Sequence, residues 1–168
     1  MNLKGKNAIV TGGGRGLGKA VAIALAKEGV NIGLTGRNEE HLKNTAEELK
    51  TLGVMAAYYV FSIDNEKAVQ SGIAKLAEEL GGIDILINNA GIGDFGAIAE
   101  MPSETWEQVI KTNLFGVYYA AKAVHPFLKE RGMGDIVNVA STAGLKGGPN
   151  MSAYAASKAA VVSLSQSM

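Results

Sequence analysis

The sequence predicts an α/β protein: a doubly wound parallel sheet with helices packed on both faces. Short β-branched runs alternate with longer helical patterns along the whole chain, and the strand-like runs are apolar at nearly every position. A strand without a polar face must be covered on both sides, which is the condition of a parallel sheet between two helix layers. The 22 glycines of the 168 residues, close to twice the usual share of roughly 7%, sit at the boundaries between these runs.

The elements follow in order. Asn7 to Thr11 reads as a buried strand. Leu17 to Glu28 reads as a helix, with Val21, Leu25 and their alanine neighbours on one face and Gly29 closing it. Asn31 to Thr35 is a second strand. Asn38 caps the next helix, which carries Glu39 and Glu40 in its first turn and ends by Gly53. Met55 to Phe61 is a third strand, followed by a helix from about Asn65 to Leu80 that stops at Gly81-Gly82. Ile83 to Asn88 is a fourth strand. Ser103 is the expected cap of a long helical region through Trp106, Asn113 and Phe127, bent near Gly116. Asp135 to Ala140 is a fifth strand, and a last helix starts near Ser152. With no internal repeat and no linker, residues 1–168 read as a single domain.

Composition narrows the function. Lys+Arg and Asp+Glu are both 16, so the net charge is zero. A nucleic-acid or membrane-surface binder would carry a basic surplus; small molecules and ordinary protein partners remain. Cysteine is absent, which excludes disulfides and thiolate metal sites and favours a reducing, cytoplasmic setting. His41 and His125 are the only histidines, and neither has ligand spacing around it. The longest uncharged stretch, Thr51 to Ile63, is too short for a membrane-spanning helix.

Three sequence features carry chemistry. The first is Thr11-Gly12-Gly13-Gly14-Arg15-Gly16-Leu17-Gly18, between the first strand and first helix. Glycines there permit a tight turn and close approach of the backbone to a pyrophosphate, which the helix N-terminus then faces. Taken alone, such a loop is equally a plain turn. Its G-x-x-x-G-x-G spacing lacks the G-K-[ST] of a Walker loop. The second feature is the end of the second strand, Thr35-Gly36-Arg37-Asn38. A carboxylate there would bind the ribose 2′-hydroxyl of NAD. Instead Arg37, with Arg15, is placed to flank a 2′-phosphate, which favours NADP(H); read alone, Arg37 is as easily a solvated loop residue. The third is Tyr154-Ala155-Ala156-Ser157-Lys158, a phenol and an ammonium on one helix face. A phenol titrates near 10, too high for acid–base work at neutral pH, and a neighbouring cation lowers that value. Alone, this pair is more often a surface feature. Ser141, just beyond the fifth strand, stands at the carboxyl edge where such sheets bind ligands. The combination disfavours a methyltransferase built on a similar glycine loop.

Over its whole length the chain resembles the short-chain dehydrogenase/reductases, which have a Rossmann-type fold. The matching residues are Thr11 to Gly18, Asn88-Asn89-Ala90-Gly91, Asn113, Ser141, and Tyr154 with Lys158. The resemblance implies strand order 3-2-1-4-5 and a hydride transfer from NADPH to a ketone. Tyr154 would donate the proton, Ser141 would hydrogen-bond the carbonyl oxygen, Lys158 would assist Tyr154 and bind the nicotinamide ribose, and Asn113 would complete a water-linked relay. The implied cofactor contacts are Gly12, Gly14, Arg15, Gly16, Leu17, Gly18, Arg37, Ser62, Asn89, Ala90 and Gly91, with Tyr154 and Lys158. Within the family the likeness is greatest to bacterial 3-oxoacyl-(acyl-carrier-protein) reductases, through Asn138 to Gly144 and Tyr154 to Ala159. The same stretches fit reductases of sugars, steroids and alcohols. The expected substrate is therefore a small-molecule or carrier-bound carbonyl, and the expected assembly a homodimer or homotetramer.

The sequence departs from the family pattern in three places. Ser62 stands where an Asp usually hydrogen-bonds adenine. An acidic carrier would want a basic patch, and Lys129 and Arg131 are diluted by Glu130 and Asp135. The family pattern also continues beyond Met168, with further strands and the substrate-covering elements. A chain ending there is expected to leave the fifth strand's outer edge unpaired and Val161, Val162 and Leu164 partly exposed. Such a chain should dimerise through the Asn113 and Tyr154 helices or aggregate, with little turnover.

Overall fold

The computed structural model describes residues 3–168. Five parallel strands, β1 (Asn7–Thr11), β2 (Asn31–Gly36), β3 (Ala56–Val60), β4 (Ile85–Asn88) and β5 (Asp135–Asn138), form one sheet in the order β3-β2-β1-β4-β5. This is the doubly wound arrangement expected. The helices are α1 (Gly16–Lys27), α2 (Glu39–Lys50), α3 (Glu66–Leu80), α4 (Ser103–Ile110), α5 (Gly116–Arg131) and α6 (Ser152–Gln166).

The pleat of the central strands explains why they lack a polar face. Ala8 and Val10 of β1 and Ile85 and Ile87 of β4 pack with Ala22 and Ala26 of α1 and Leu42 and Leu49 of α2. Ile9 and Leu86 turn the other way, against Val69, Ile73 and Leu76 of α3 and Ala120 and Val124 of α5. Both faces are therefore core. On α1 the fully buried stripe is Gly18, Ala22 and Ala26, whereas Val21 and Leu25 pack at its margin. Small residues at four-residue spacing let this helix approach the sheet closely.

The helix boundaries follow their caps. Asn38 Oδ1 accepts from His41 N at 2.8 Å, and Asn65 Oδ1 accepts from Ala68 N at 3.1 Å. Gly29 and Gly81 end their helices at positive φ. Ser103 is not a cap: it is the first helical residue of α4, and the capping position belongs to Pro102 at φ −59°, ψ 139°, with no side-chain bond. The long helix expected through Asn113 is interrupted. One π-helical turn, Lys111–Phe115, separates α4 from α5 and ends immediately before Gly116.

β5 differs from the interior strands. Its residues alternate between exposed and half-buried, and Val137 is half exposed. It is joined inward by Asn88 Nδ2 donating to Asn138 Oδ1 (2.9 Å), and to α6 by Asn138 Nδ2 donating to Ser165 Oγ (2.9 Å). Val162 and Leu164 are half-buried, but Val161 is fully buried, contrary to expectation. Among the described residues no helix is long and apolar enough to cross a membrane, and no cluster of His, Asp and Glu has the geometry of a metal site.

Candidate active site

The site is built along the carboxyl edge of the sheet. The turn after β1 carries Gly12 and Gly16 at positive φ, and a side chain at Gly18 would overlap the Gly12 carbonyl and the Asn89 amide. Glycine at 18 thus lets α1 begin directly on the loop. The loop after β4 is then stitched to the first. Asn89 N and Ala90 N both donate to Thr11 Oγ1 at 3.0 Å, and Asn89 Nδ2 donates to the Thr11 carbonyl at 3.0 Å. Thr11 was read only as part of a glycine loop; its hydroxyl joins two segments distant in sequence.

These loops border a groove of about 540 Å³. Gly12, Gly14, Arg15, Gly16, Leu17, Gly18, Arg37, Ser62, Asn89, Ala90 and Gly91 all line it. So do residues not anticipated, notably His41, Ile92 and Thr112. Tyr154 and Lys158 do not line it; they stand past its Gly91 end. At the other end, the Ser62 hydroxyl bonds Asp64. This bond, then a second from Gln108 Nε2 (2.8 Å), then the positive field of Arg37 hold the Asp64 carboxyl below its usual range, against the opposing effect of burial. A carboxylate is therefore present near this end, two residues beyond Ser62.

The π turn gives Asn113 its place. The residue is fully buried, and its amide is spent: Oδ1 accepts from Ile92 N (2.8 Å), while Nδ2 donates to Ile92 O (2.8 Å) and to Ser157 Oγ (3.1 Å). Ser157 Oγ donates in turn to the Tyr154 carbonyl at 2.7 Å. Asn113 therefore clamps the loop after β4 to the helix bearing Tyr154. Ser157 is the missed member of this set, and a small buried hydroxyl inside a helix leaves no mark in sequence.

Tyr154 and Lys158 share the inner face of α6. Lys158 is buried; its Nζ lies 5.9 Å from the Tyr154 ring centre and donates to the Val139 carbonyl at 2.6 Å. Burial pushes its ammonium below the ordinary lysine range. A Cβ at Gly91 would lie 3.2 Å from Asn113 Oδ1 and 3.7 Å from Lys158 Nζ, so the buried ammonium sits next to this groove residue. Ser141 precedes a single 3₁₀ turn, Thr142–Gly144, and its Oγ accepts from Ala143 N at 3.1 Å. Gly144 packs this turn on the main chain of Lys158, where a Cβ would come within 2.6 Å. On the outer side, the half-exposed Phe95 ring stands edge-on to Tyr154 at 5.8 Å.

This geometry agrees with what the chain resembles. Residues 6–168 match the family model of short chain dehydrogenases. The chain belongs to that family. It is 36% identical, over 99% of its length, to gluconate 5-dehydrogenase of Gluconobacter oxydans, of which it covers 65%. It is 38% identical, over 99% of its length, to the 3-oxoacyl-[acyl-carrier-protein] reductase of Chlamydia muridarum, covering 67% of it. Among solved structures, NAD+-bound xylitol dehydrogenase superposes with a TM-score of 0.96 at 38% identity, covering 99% of this chain and 65% of that one. A variant of actinorhodin polyketide ketoreductase with NADPH superposes with a TM-score of 0.93 at 38% identity, covering 96% and 63%. The chain thus spans about 65% of the length of the first of these dehydrogenases.

Lys129 and Arg131 require a correction. Both precede β5, at the amino edge of the sheet, opposite Ser141 and Tyr154. Arg131 is moreover bound to the Gly81 carbonyl and lies beside Asp84. These residues do not form a basic patch beside the site.

Proposed function

We propose that this chain carries the cofactor groove and catalytic residues of an NADPH-dependent cytoplasmic reductase that converts a ketone to a secondary alcohol. The observation that carries the reading is the placement of Lys158 Nζ, beside Tyr154 on one side and next to Gly91, a residue that lines the groove, on the other. The glycine loop fits a dinucleotide: a Cβ at Gly12 or Gly18 would run into Gly12, Asn89 or Ala90, so glycine is what lets α1 start this close to the loop and bring its N-terminus to the groove. NADPH, when bound, supplies the hydride. Tyr154 hands its phenolic proton to the carbonyl oxygen. Ser141 Oγ already accepts from Ala143 N, which leaves its hydrogen for that same oxygen. Lys158 supplies positive charge beside the phenol and reaches the nicotinamide ribose. Because the Asn113 amide is fully engaged in the clamp, any part in a proton relay falls to its main chain.

NADP(H) is favoured because the end of β2 offers Arg37 and no acid, with Arg15 lining the same groove. The favoured substrate is a 3-oxoacyl group on a carrier, as for several relatives; sugar-type ketones are the alternative, as the gluconate 5-dehydrogenase relative indicates. Self-association to a homodimer or homotetramer is proposed through the π turn and α5, where Phe115 and Tyr118 are exposed and Phe115 stacks on Tyr119 at 6.2 Å.

Fluorescence titration tests the cofactor. NADPH should bind at least about tenfold tighter than NADH, a preference of ~1.4 kcal/mol, and Arg37→Asp should erase or invert it. Equal affinities in the unaltered protein would refute the NADP reading. In the whole protein, Tyr154→Phe should lower ketone reduction by roughly 10²–10⁴-fold with NADPH affinity nearly unchanged. Retention of about a tenth of the turnover would exclude Tyr154 as the acid.

A further inference from the structure

We propose that His41 is a third ligand for the 2′-phosphate, beside Arg15 and Arg37, and that it makes the preference for NADPH depend on pH. This rests on the NADP(H) reading above and concerns a residue that reading does not use.

The placement of His41 comes from the loop it packs on. Its Cβ lies against Gly14, where a Cβ would come within 3.0 Å, so a glycine is what lets the first turn of α2 close on the loop carrying Arg15. His41 lines the same groove as Arg15, Arg37 and Asn38. Its backbone N–H is already taken by Asn38 Oδ1 at 2.8 Å, so the exposed ring, and not the helix N-terminus, is the group left to meet a ligand.

The charges around the subsite make a third donor useful. Arg37 acts partly on the Asp64 carboxylate. Glu39 and Glu40 add negative charge on the same turn of α2 as His41, and Arg15 faces it from the glycine loop. A phosphate dianion therefore meets two guanidinium groups set among three carboxylates. An imidazolium shifts that balance toward binding.

Histidine is the side chain that ordinarily gains its charge between pH 8 and 5, and a phosphate monoester keeps its second negative charge down to about pH 6. Between about pH 8 and 6.5, acidification charges an imidazole while leaving most of the phosphate doubly charged. A phosphate beside the ring favours the protonated form, so NADPH binding takes up a proton at His41. NADH lacks the phosphate and has no such linkage.

The test measures dissociation constants for NADPH and NADH at pH 8 and pH 6.5, with proton uptake read by calorimetry in two buffers of different ionisation enthalpy. In the unaltered protein the NADPH-to-NADH preference should rise roughly fivefold on acidification, with net proton uptake by NADPH alone. His41→Gln keeps a donor of similar reach without the charge, and should remove both the rise and the uptake. His41→Lys, charged at both pH values, should hold the high preference throughout. If NADPH is preferred but His41→Gln shows the same pH dependence as the unaltered protein, His41 is not a ligand and the NADP reading stands. If NADPH is preferred at neither pH, the NADP reading fails and this proposal fails with it.

Discussion

Around Gly12 and Gly18, main chain lies on main chain: α1 starts against the glycine loop, and Thr11 and Asn89 tie that loop to the one after β4 at 3.0 Å. Around Ser141, Tyr154 and Lys158, single side chains bond to main chain: Ser141 Oγ accepts from Ala143 N, and Lys158 Nζ donates to the Val139 carbonyl. The groove lies at the carboxyl ends of β1, β2 and β4, the strands whose two faces are core; Ser141 follows β5, and Tyr154 and Lys158 stand on α6. A dinucleotide carries a pyrophosphate, whose recognition rewards rigid backbone at a helix N-terminus. The carbonyl end must admit substrate, so it relies on a few clamped polar groups, Asn113 above all.

The sharpest way to break this contrast is a matched pair of glycine substitutions. Gly18→Ala puts a methyl into the Gly12 carbonyl, which nothing nearby can vacate. It should cost about 3 kcal/mol of stability, at the upper end for overpacking, and abolish NADPH binding. Gly144→Ala meets the Lys158 backbone less closely, and the single 3₁₀ turn that carries it can shift. Its expected cost is about 1 kcal/mol, with NADPH binding kept and turnover in the whole protein lost. Equal losses in urea denaturation would show that the 3₁₀ turn is as rigid as the glycine loop.

Asn113→Ala comes next. It leaves Ile92 N, Ile92 O and Ser157 Oγ without their partner. About 2 kcal/mol should be lost, and exchange of the Ile92 amide should accelerate while β1 and β4 amides stay protected. Uniform loss of protection would mean that Asn113 supports the whole fold and not the clamp.

The same contrast explains what was legible. Where close main-chain packing is required, only glycine fits, so the glycine loop could be read from identity and spacing alone. The apolar strands announced a two-faced sheet, and its order followed from the resemblance. The π turn was not legible, because Lys111 to Phe115 contains neither Gly nor Pro and the change lies only in which carbonyl each amide finds. The Ser103 cap failed because Pro102, with its fixed φ, already provides an extended entry to α4. Ser157 and the Thr11 hydroxyl act through partners brought near only by the fold.

The smallest effect expected is on Lys158, and it opposes function. Burial lowers its pKa below the ordinary 10.5, so the folded protein holds this proton less firmly than the unfolded chain does. Between the folded value and 10.5 the unfolded state binds more protons, and stability must rise with pH across that window. Below the folded value both states are charged, and the cost of burying the ammonium is borne in full. Lys158→Met removes that charge while keeping a flexible chain of similar length, at the loss of one bond to the Val139 carbonyl. The variant should therefore melt a few degrees higher than the unaltered protein at pH 7, and should lack the residue's share of the alkaline rise. It should also bind NADPH more weakly, since the nicotinamide ribose loses its proposed partner. A variant that melts lower at pH 7 would show that the Val139 bond outweighs desolvation, and would place Lys158 among the groups that hold α6 to the sheet.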